Sequence, residues 1–223
     1  MDEIVKALVS RFNIKAAIFD LDGTLIDNNA VHLKSWLQYL KTMGRVVTEE
    51  EYRAHFNGRT NKDVLEYIFK KEMTKDEALP YTLEKEAVYR EMYKDDIVPV
   101  VGLLDLLHAF KTFGIPMAIA TSGIEPNINF MFEHIDIQRY FPVVINSSHV
   151  SCGKPDPEIY IKASQALGVD PANCLVFEDA VVGIRSAKAA GMKVVAITTT
   201  ETVDALSTAD MIIQNFLPES FLF

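Results

Sequence analysis

The segment FDLDGTLID, residues 19–27, places three carboxylates within nine positions, directly after an apolar run. Like charges at Asp20 and Asp22 repel each other, and burying them at the end of a strand is costly. A bound cation, or a reaction that uses both groups, would compensate this cost. The segment therefore indicates an acidic site that performs chemistry.

Polar residues of complementary chemistry follow three later apolar runs. If these runs are parallel strands, their carboxyl ends lie along one edge of a sheet, where ligands bind. Four carboxylates at that edge suit a hard cation that prefers oxygen ligands, and Mg²⁺ fits best. A lysine and a hydroxyl group suit a phosphate oxygen. The residues expected to meet there are Asp20, Asp22, Thr121, Ser122, Lys154, Glu178 and Asp179.

The order of apolar and amphipathic segments predicts the elements that bring these residues together. Short apolar runs alternate with helical patterns after Pro99, which is typical of a parallel sheet with helices on both faces. The fold class is therefore α/β, with a doubly wound, Rossmann-like core. The predicted strands cover residues 15–20, 116–120, 142–146, 174–177, 193–197 and 211–213, and the predicted helices cover 102–113, 126–135, 157–167 and 180–190.

A helical insert separates the first strand from the rest of this core. Every credible segment between residues 28 and 95 has helical periodicity, and none has a strand pattern. Thr48 with Glu51 forms a capping-box pattern, Asn61 is predicted to begin a second helix, and residues 82–93 form another. We therefore expect a core of residues 1–27 and 96–223 and an all-helical unit of residues 28–95.

Composition limits the partners of the protein. The 223 residues carry a net charge of −9, which opposes binding to nucleic acid or to an anionic membrane surface. A phosphorylated substrate would therefore need local cations. Residues 1–13 are too short and too charged for a signal peptide, and the two cysteines provide no disulfide framework. These features favour a cytoplasmic protein with a small-molecule substrate.

Four motifs resemble those of the haloacid dehalogenase superfamily. DLDGTLID, ATSG, GKPDP and VFEDAVVGIRSAKAAG occur in the order and spacing of its phosphatase and phosphomutase branch, the relatives of β-phosphoglucomutase. The resemblance extends over the whole chain and includes a helical cap inserted after the first motif. Each motif alone would be weak, but the combination is specific.

The resemblance implies a role for each acidic residue. Asp20 would attack phosphorus and become an aspartyl-phosphate. Asp22 would be the general acid and base, and its backbone carbonyl would face the metal. Asp179 would bind Mg²⁺, with Glu178 as a further ligand or as a partner of the ligands. The aspartate at position 22 argues against dehalogenation, because displacing a halide requires no proton for the leaving group.

The resemblance also implies how phosphate is held. Thr121 and Lys154 would bind the transferring phosphoryl group, and Lys154 would screen the charge of Asp20. Ser122 would add a phosphate contact beside Thr121. Gly23 would allow the sharp turn that brings backbone N–H groups to the phosphate.

The cap contributes candidate substrate contacts. His32 matches a histidine that phosphomutases and sugar phosphatases of this branch share, and Lys85 matches a cap lysine of the mutases, although a solvated position within EKE is an equal alternative. The mutase pattern has an arginine three residues after Gly58, where this chain has Asn61, and an arginine occurs instead at Arg59. This departure argues against phosphomutase activity.

These observations support three functional hypotheses. The first is a Mg²⁺-dependent phosphatase that hydrolyses a small phosphorylated metabolite, in particular a sugar phosphate, through an aspartyl-phosphate. The second is an isomerase of the β-phosphoglucomutase type, which must retain a bisphosphorylated intermediate. The third is a receiver-like phospho-acceptor without turnover, which the long helical insert argues against.

Overall fold

The computed structural model describes residues 1–221, so the last two residues of the predicted core lie outside the described residues. Nine helices and six strands occur within the described part of the chain. The helices are α1 (Asp2–Phe12), α2 (Asn29–Thr42), α3 (Glu49–His55), α4 (Asn61–Phe69), α5 (Lys75–Tyr93), α6 (Leu103–Thr112), α7 (Glu125–His134), α8 (Glu158–Leu167) and α9 (Val181–Ala189). The strands are β1 (Ala16–Phe19), β2 (Met117–Ala120), β3 (Val143–Ile145), β4 (Cys174–Glu178), β5 (Lys193–Ile197) and β6 (Met211–Ile213).

The six strands form one parallel sheet in the order β3-β2-β1-β4-β5-β6. Strand β1 lies inside the sheet, with Ile18 beside Ala118 of β2 and Val176 of β4. The chain builds outward from β1 in both directions, so a crevice opens at its carboxyl end. The predicted α/β class with a doubly wound, Rossmann-like core and a helical cap is confirmed.

The two faces of the sheet are packed differently. On one face, large side chains fill the space beneath α1, α6 and α7, and the ring of Phe19 stacks on Phe177 at a centroid distance of 4.6 Å. On the other face, small residues such as Ala118 and Ala196 let α8 and α9 approach closely. Burial of each large apolar side chain stabilises the fold by about 1.5–3 kcal/mol. This packing fixes the end of β1, where Asp20 begins the site.

Helices α2 to α5 contain a hydrophobic cluster of their own, which includes Trp36, Leu40, Phe56 and Leu65. Thr48 accepts a hydrogen bond from the backbone of Glu51, as its pattern predicts.

Two helix starts differ from the predictions, and one helix was not predicted. Thr60, not Asn61, caps α4, because its hydroxyl accepts the backbone N–H of Asp63. Helix α5 begins at Lys75 rather than residue 82, because the complete capping box at Thr74 starts a helix that continues through Pro80. Helix α1 was not among the predicted elements.

Helices long and apolar enough to span a bilayer do not occur among residues 1–221.

Candidate active site

Asp20 is the first residue after β1 and is buried, with 6% of its surface exposed. Its backbone N–H donates to the carbonyl of Phe177 in β4, so pairing in the sheet fixes the chain at this point. Burial, followed by the neighbouring charges of Glu178 and Asp179, raises the pKa of Asp20, while Lys154 opposes this shift. The carboxylate therefore lies in a pocket that carries excess negative charge.

Lys154 lies between two of these acids. Its ammonium group donates to Oδ1 of Asp20 at 2.5 Å, to Oε1 of Glu178 at 2.6 Å and to the carbonyl of Ala120 at 3.3 Å. Burial lowers its pKa, but the two carboxylates outweigh burial and raise it well above the usual value. The lysine is therefore a buried, fixed cation beside Asp20 rather than an exposed loop residue.

Glu178 is surrounded by donors. Oε1 accepts from Lys154 and from the hydroxyl of Tyr160 at 2.8 Å, and Oε2 accepts the backbone N–H groups of Asp179 and Ala180 at 2.9 Å each. Gly183 allows this arrangement, because a Cβ at that position would lie 1.7 Å from Oε1. The carboxylate of Glu178 thus packs against the first turn of α9. A metal ion would compete with these donors for the carboxylate oxygens.

Asp179 is held by side chains that follow β1 and β5. Thr24 donates to Oδ1 at 3.2 Å, Asn29 donates to Oδ2 at 3.1 Å, and Thr200 also donates to Oδ2. Gly23 has a φ of +81°, and a Cβ on it would lie 2.1 Å from Oδ2 of Asp179, so the turn and the contact both require glycine. Burial, and then the charge of Glu178, raises the pKa of Asp179 to about 8.

The donor set fits a divalent cation. Carboxylate oxygens of Asp20, Glu178 and Asp179 lie within 4.8 Å of one another and are buried. Three acids lie here beside one ammonium group, which is why the pKa values of Asp20 and Asp179 are raised, and a hard cation with oxygen ligands would offset the excess negative charge. The side chain of Asp22 lies outside this cluster, and its predicted metal contact is through the backbone carbonyl.

Asp22 points toward the cap. Its Oδ1 accepts from Asn28 Nδ2 at 2.6 Å and lies 3.3 Å from Nε2 of His32. Burial opposes ionisation of Asp22, but His32, Asn28 and Lys85 outweigh it and lower the pKa. Asp20 and Asp22 are therefore neighbours in sequence with opposite pKa shifts, which is the separation that two different chemical roles require.

The loop after β2 contributes hydroxyl groups. Thr121 is buried, and its Oγ1 accepts the backbone N–H of Gly123 at 2.9 Å, which leaves its own hydrogen available to the cleft. The hydroxyl of Ser122 donates at 3.0 Å to the carbonyl of Gly58 in the cap. The two neighbouring hydroxyl groups therefore face different parts of the molecule, and phosphate binding by Ser122 stays a prediction.

Lys85 is 1% exposed, so the alternative of a solvated position is wrong. Its ammonium group lies 2.9 Å from Nδ1 of His32 and 3.0 Å from Oε1 of Glu86. An ammonium group only donates, so Nδ1 accepts and the ring hydrogen of His32 is on Nε2, toward Asp22. The imidazole also stacks on Tyr89 at 4.0 Å, which connects α2 and α5 to the general acid/base candidate.

The far wall of the cleft is formed by cap residues. Asn61 donates to Oε1 of Glu86 at 2.9 Å, and Arg59 lines the cleft beside it. Among the described residues Arg59 has no side-chain hydrogen bond or ion pair. Gly58 has a φ of +70° and lies so close to α9 that a Cβ would be 2.6 Å from a methyl group of Val182. The cap loop therefore closes directly onto the core.

The cleft between core and cap encloses about 590 Å³, part of it open to solvent. All but two of the predicted site residues line it. The two exceptions are Gly23, which packs against the carboxylate of Asp179, and Lys154, which contacts Asp20 without lining the cleft. The cleft-lining members of the predicted set are Asp20, Asp22, His32, Gly58, Arg59, Asn61, Lys85, Thr121, Ser122, Glu178 and Asp179.

Several supporting residues were missed by the sequence analysis. Asn28 and Asn29 follow the first acidic motif directly, and their amide groups at a helix start were a usable signal. Tyr160 lies six residues after Lys154, and Thr200 lies three residues after β5. Neither has a local pattern that distinguishes it from an ordinary helix or loop residue, and only the folded chain brings it to the acids.

A family model described as haloacid dehalogenase-like hydrolase matches residues 17–197. The chain is similar to validoxylamine A 7′-phosphate phosphatase of Streptomyces hygroscopicus subsp. limoneus, with 32% identity over 90% of this chain and 93% of the relative. It is similar to fructose-1-phosphate phosphatase of Escherichia coli K12, also with 32% identity, over 80% of this chain and 93% of the relative.

A crystal structure shows the same similarity in three dimensions. The chain superposes on a haloacid dehalogenase hydrolase of family IA, variant 3, from Entamoeba histolytica with a TM-score of 0.81 and 34% identity. The match covers 93% of this chain and 97% of the other.

Proposed function

The chain belongs to the haloacid dehalogenase-like hydrolases and is a phosphatase, and from this premise we propose that it hydrolyses a sugar phosphate through an aspartyl-phosphate on Asp20 with the help of Mg²⁺. Residues 28–95 act as the cap over the catalytic core of residues 1–27 and 96–223. The relatives named above support a phosphorylated carbohydrate-like substrate, because their names describe phosphatases of such compounds.

The position of Asp20 is the observation that carries this proposal. The carboxylate follows the inner strand β1, holds the ammonium group of Lys154 at 2.5 Å and lines the cleft beneath the cap. Lys154 neutralises part of the charge that otherwise opposes attack of a carboxylate on a phosphate. Thr121, with a free hydroxyl hydrogen, lies at the end of the neighbouring strand and binds a phosphoryl oxygen.

In the proposed reaction, phosphoryl transfer to Asp20 is followed by hydrolysis of the aspartyl-phosphate. An oxygen of Asp20 attacks phosphorus, the bond between phosphorus and the sugar oxygen breaks, and Asp22 gives its proton to that oxygen. A water then attacks the aspartyl-phosphate, Asp22 takes a proton from the water, and the phosphorus–oxygen bond to Asp20 breaks. Asp22 then carries the proton that the first step of the next cycle requires. Its surroundings without substrate favour the charged form, which the second step requires, whereas the negative charge of a bound phosphate favours the protonated form.

Mg²⁺ held by Asp20, Asp179 and the backbone carbonyl of Asp22 would supply positive charge to the phosphoryl oxygens. Glu178 orients Lys154 and holds the turn between β4 and α9, since all four of its contacts are with donors of the protein. The cap seats the leaving group and excludes water from the cleft.

A phosphate-release screen tests the proposal. Purified protein is assayed with sugar phosphates, nucleotides and pyrophosphate, with Mg²⁺ and with a chelator, beside the isosteric variant Asp20→Asn. We expect release from sugar phosphates that requires Mg²⁺ and that falls by at least about 10⁴-fold in the variant, because the nucleophile is lost. Substantial turnover by Asp20→Asn would overturn the nucleophile assignment.

Two other outcomes of the screen would indicate a function other than hydrolysis. Interconversion of sugar phosphates that is activated by a sugar bisphosphate, with little free phosphate, would identify a mutase. A stable phosphorylated protein without turnover would identify a phospho-acceptor. Phosphorylation at Asp20 is detected in each case by mass spectrometry after acid quenching, which separates these outcomes from hydrolysis.

A further inference from the structure

A buried carboxylate in the cap, Glu86, has no part in the chemistry described above. It lies on α5, is 2% exposed and lines the cleft opposite the acids of the core. Burying an acidic side chain is costly unless hydrogen bonds or opposite charges compensate for the lost water. The contacts of Glu86 show what compensates for it here.

Three donors converge on Glu86. Oε1 accepts from the ammonium group of Lys85 at 3.0 Å and from Asn61 Nδ2 at 2.9 Å, and Oε2 accepts from Asn127 Nδ2 at 2.7 Å. Arg90 fixes the orientation of the last amide, because its guanidinium donates to Oδ1 of Asn127 at 2.7 Å. An ammonium group with two amide N–H groups is the donor set that would hold an anion, and the protein fills it with its own carboxylate.

The charged groups of the cleft also indicate that Glu86 occupies the place of an anion. Five carboxylates line it, namely Asp20, Asp22, Glu86, Glu178 and Asp179, against the cations Arg59 and Lys85, with Lys154 beneath Asp20. A divalent cation and one phosphate dianion can be accommodated in this balance. A second phosphate on the same substrate would lie against the cap wall, where Lys85 is already paired and Glu86 repels it, so that, among the described residues lining the cleft, Arg59 would be the one cap cation left to bind it.

We propose that Glu86 determines substrate specificity, by occupying an anion site in the cap so that the enzyme selects sugar monophosphates over the corresponding bisphosphates. This inference rests on the proposed function, since it assumes that one phosphoryl group is bound at Asp20. The leaving group that fits the wall is neutral and hydroxylated, because Oε2 of Glu86 has a free acceptor position and the ring of Trp36 lines the same cleft.

The test compares kcat/KM for matched pairs: fructose 1-phosphate with fructose 1,6-bisphosphate, and glucose 6-phosphate with glucose 1,6-bisphosphate. For the wild type we expect a preference of at least about tenfold for the monophosphate of the better pair, because like charges in a closed cleft repel strongly. In Glu86→Gln the preference should shrink by at least about tenfold, mainly through a lower KM for the bisphosphate.

Glu84→Gln is the matched control. It removes the same charge two residues away on α5, where the carboxylate is exposed and accepts from the hydroxyl of Tyr39. Its preference should stay within about twofold of the wild type, because exposed charges contribute little. Glu86→Met provides a second neutral variant in case the amide disturbs folding, and thermal unfolding verifies that each variant is folded.

The outcomes distinguish a failure of the role of Glu86 from a failure of the proposed phosphatase activity. Equal kcat/KM of the wild type for both members of each pair, or an unchanged preference in folded Glu86→Gln or Glu86→Met, would overturn the role of Glu86 and leave the phosphatase intact. Absence of Asp20-dependent phosphate release from every compound would overturn the proposed function itself. The wild-type ratio requires no variant, so a folding failure does not remove the test.

Discussion

The core and the cap each contain one buried lysine, Lys154 beneath Asp20 and Lys85 in the wall of the cleft, and the two lysines have different partners. In the core, Lys154 contacts the carboxylates of Asp20 and Glu178, and Asp179 lies nearby with a pKa raised to about 8. In the cap, Lys85 contacts one carboxylate, Glu86, whose pKa is lowered by Lys85 and by two amides despite its burial.

This difference shows how buried charge indicates function. The core cluster has more acid than base, so a cation would complete it, and we propose it as the place for phosphoryl chemistry. The cap cluster pairs one acid, Glu86, with one base, Lys85, so its charge is balanced, and we propose it as the place for the leaving group. Breaking each cluster in the same way should therefore give different phenotypes.

The same substitution at the two lysines should produce the largest contrast. Lys154→Met should lower kcat by about 10³-fold for every substrate, because Asp20 then faces phosphate without its counter-charge. Lys85→Met should lower kcat/KM by about 10–100-fold, by an amount that depends on the sugar. Steady-state kinetics on three sugar phosphates measures both, with rates corrected for the folded fraction. A substrate-independent loss in Lys85→Met would contradict the division of roles.

A methyl group at the two constrained glycines should give the next largest contrast. Gly23→Ala forces a Cβ into the carboxylate of Asp179 at a positive φ, so we expect destabilisation by about 1–3 kcal/mol and a loss of the Mg²⁺ response. Gly58→Ala meets a methyl group of Val182 instead and should raise KM while the Mg²⁺ response remains. Titration of activity with Mg²⁺ separates the two, and an unchanged Mg²⁺ midpoint in Gly23→Ala would argue against the metal site.

The acid excess of the core should make the stability of the metal-free protein depend on pH. Asp179 has a pKa of about 8 when folded and about 3.8 when unfolded, so the folded state holds the additional proton between these values. The contribution of Asp179 to stability is therefore most favourable below the lower pKa and falls as pH rises toward 8. We expect the Tm without metal to fall by about 5 °C between pH 5.5 and pH 8.

Mg²⁺ should reverse this trend, because it binds the deprotonated carboxylates and its stabilisation is larger at pH 8 than at pH 6. Asp179→Asn is the control, since it removes one of the two core acids with a raised pKa and should weaken the pH dependence of the metal-free protein. Thermal unfolding in chelator and in excess Mg²⁺ measures both effects. A Tm that rises with pH in chelator would contradict the excess of acid.

The smallest expected effect lies at the contact between core and cap. The hydroxyl of Ser122 donates to the carbonyl of Gly58, so Ser122→Ala should remove one neutral hydrogen bond and change kcat/KM by about threefold. Thr121→Val, beside it, should cost about 100-fold, because its hydroxyl faces the phosphoryl position. Kinetics on one substrate compares the pair. A loss in Ser122→Ala as large as that in Thr121→Val would show that Ser122 binds phosphate, as the sequence suggested.

The sequence predicted the core site far better than the cap. Each core residue follows a strand, and parallel strands end at one edge, so local patterns were sufficient to bring Asp20, Thr121 and Asp179 together. No comparable rule predicts which residues of the cap helices meet. Lys85 lies within a charged stretch, and only the packing of α5 against α2 shows that it is buried beside His32. The domain boundaries and residue roles stay predictions.

The amino-acid sequence by itself determined the α/β class, the family and the residues at the strand ends, because hydrophobic periodicity and short motifs are local properties of the chain. The tertiary structure alone decided which polar side chains pair with the buried acids. Tyr160 meets Glu178, Thr200 meets Asp179 and Asn127 meets Glu86 across separations of 18, 21 and 41 residues. Such pairings depend on distances of a few ångströms in a medium of low dielectric constant, and no local pattern encodes them.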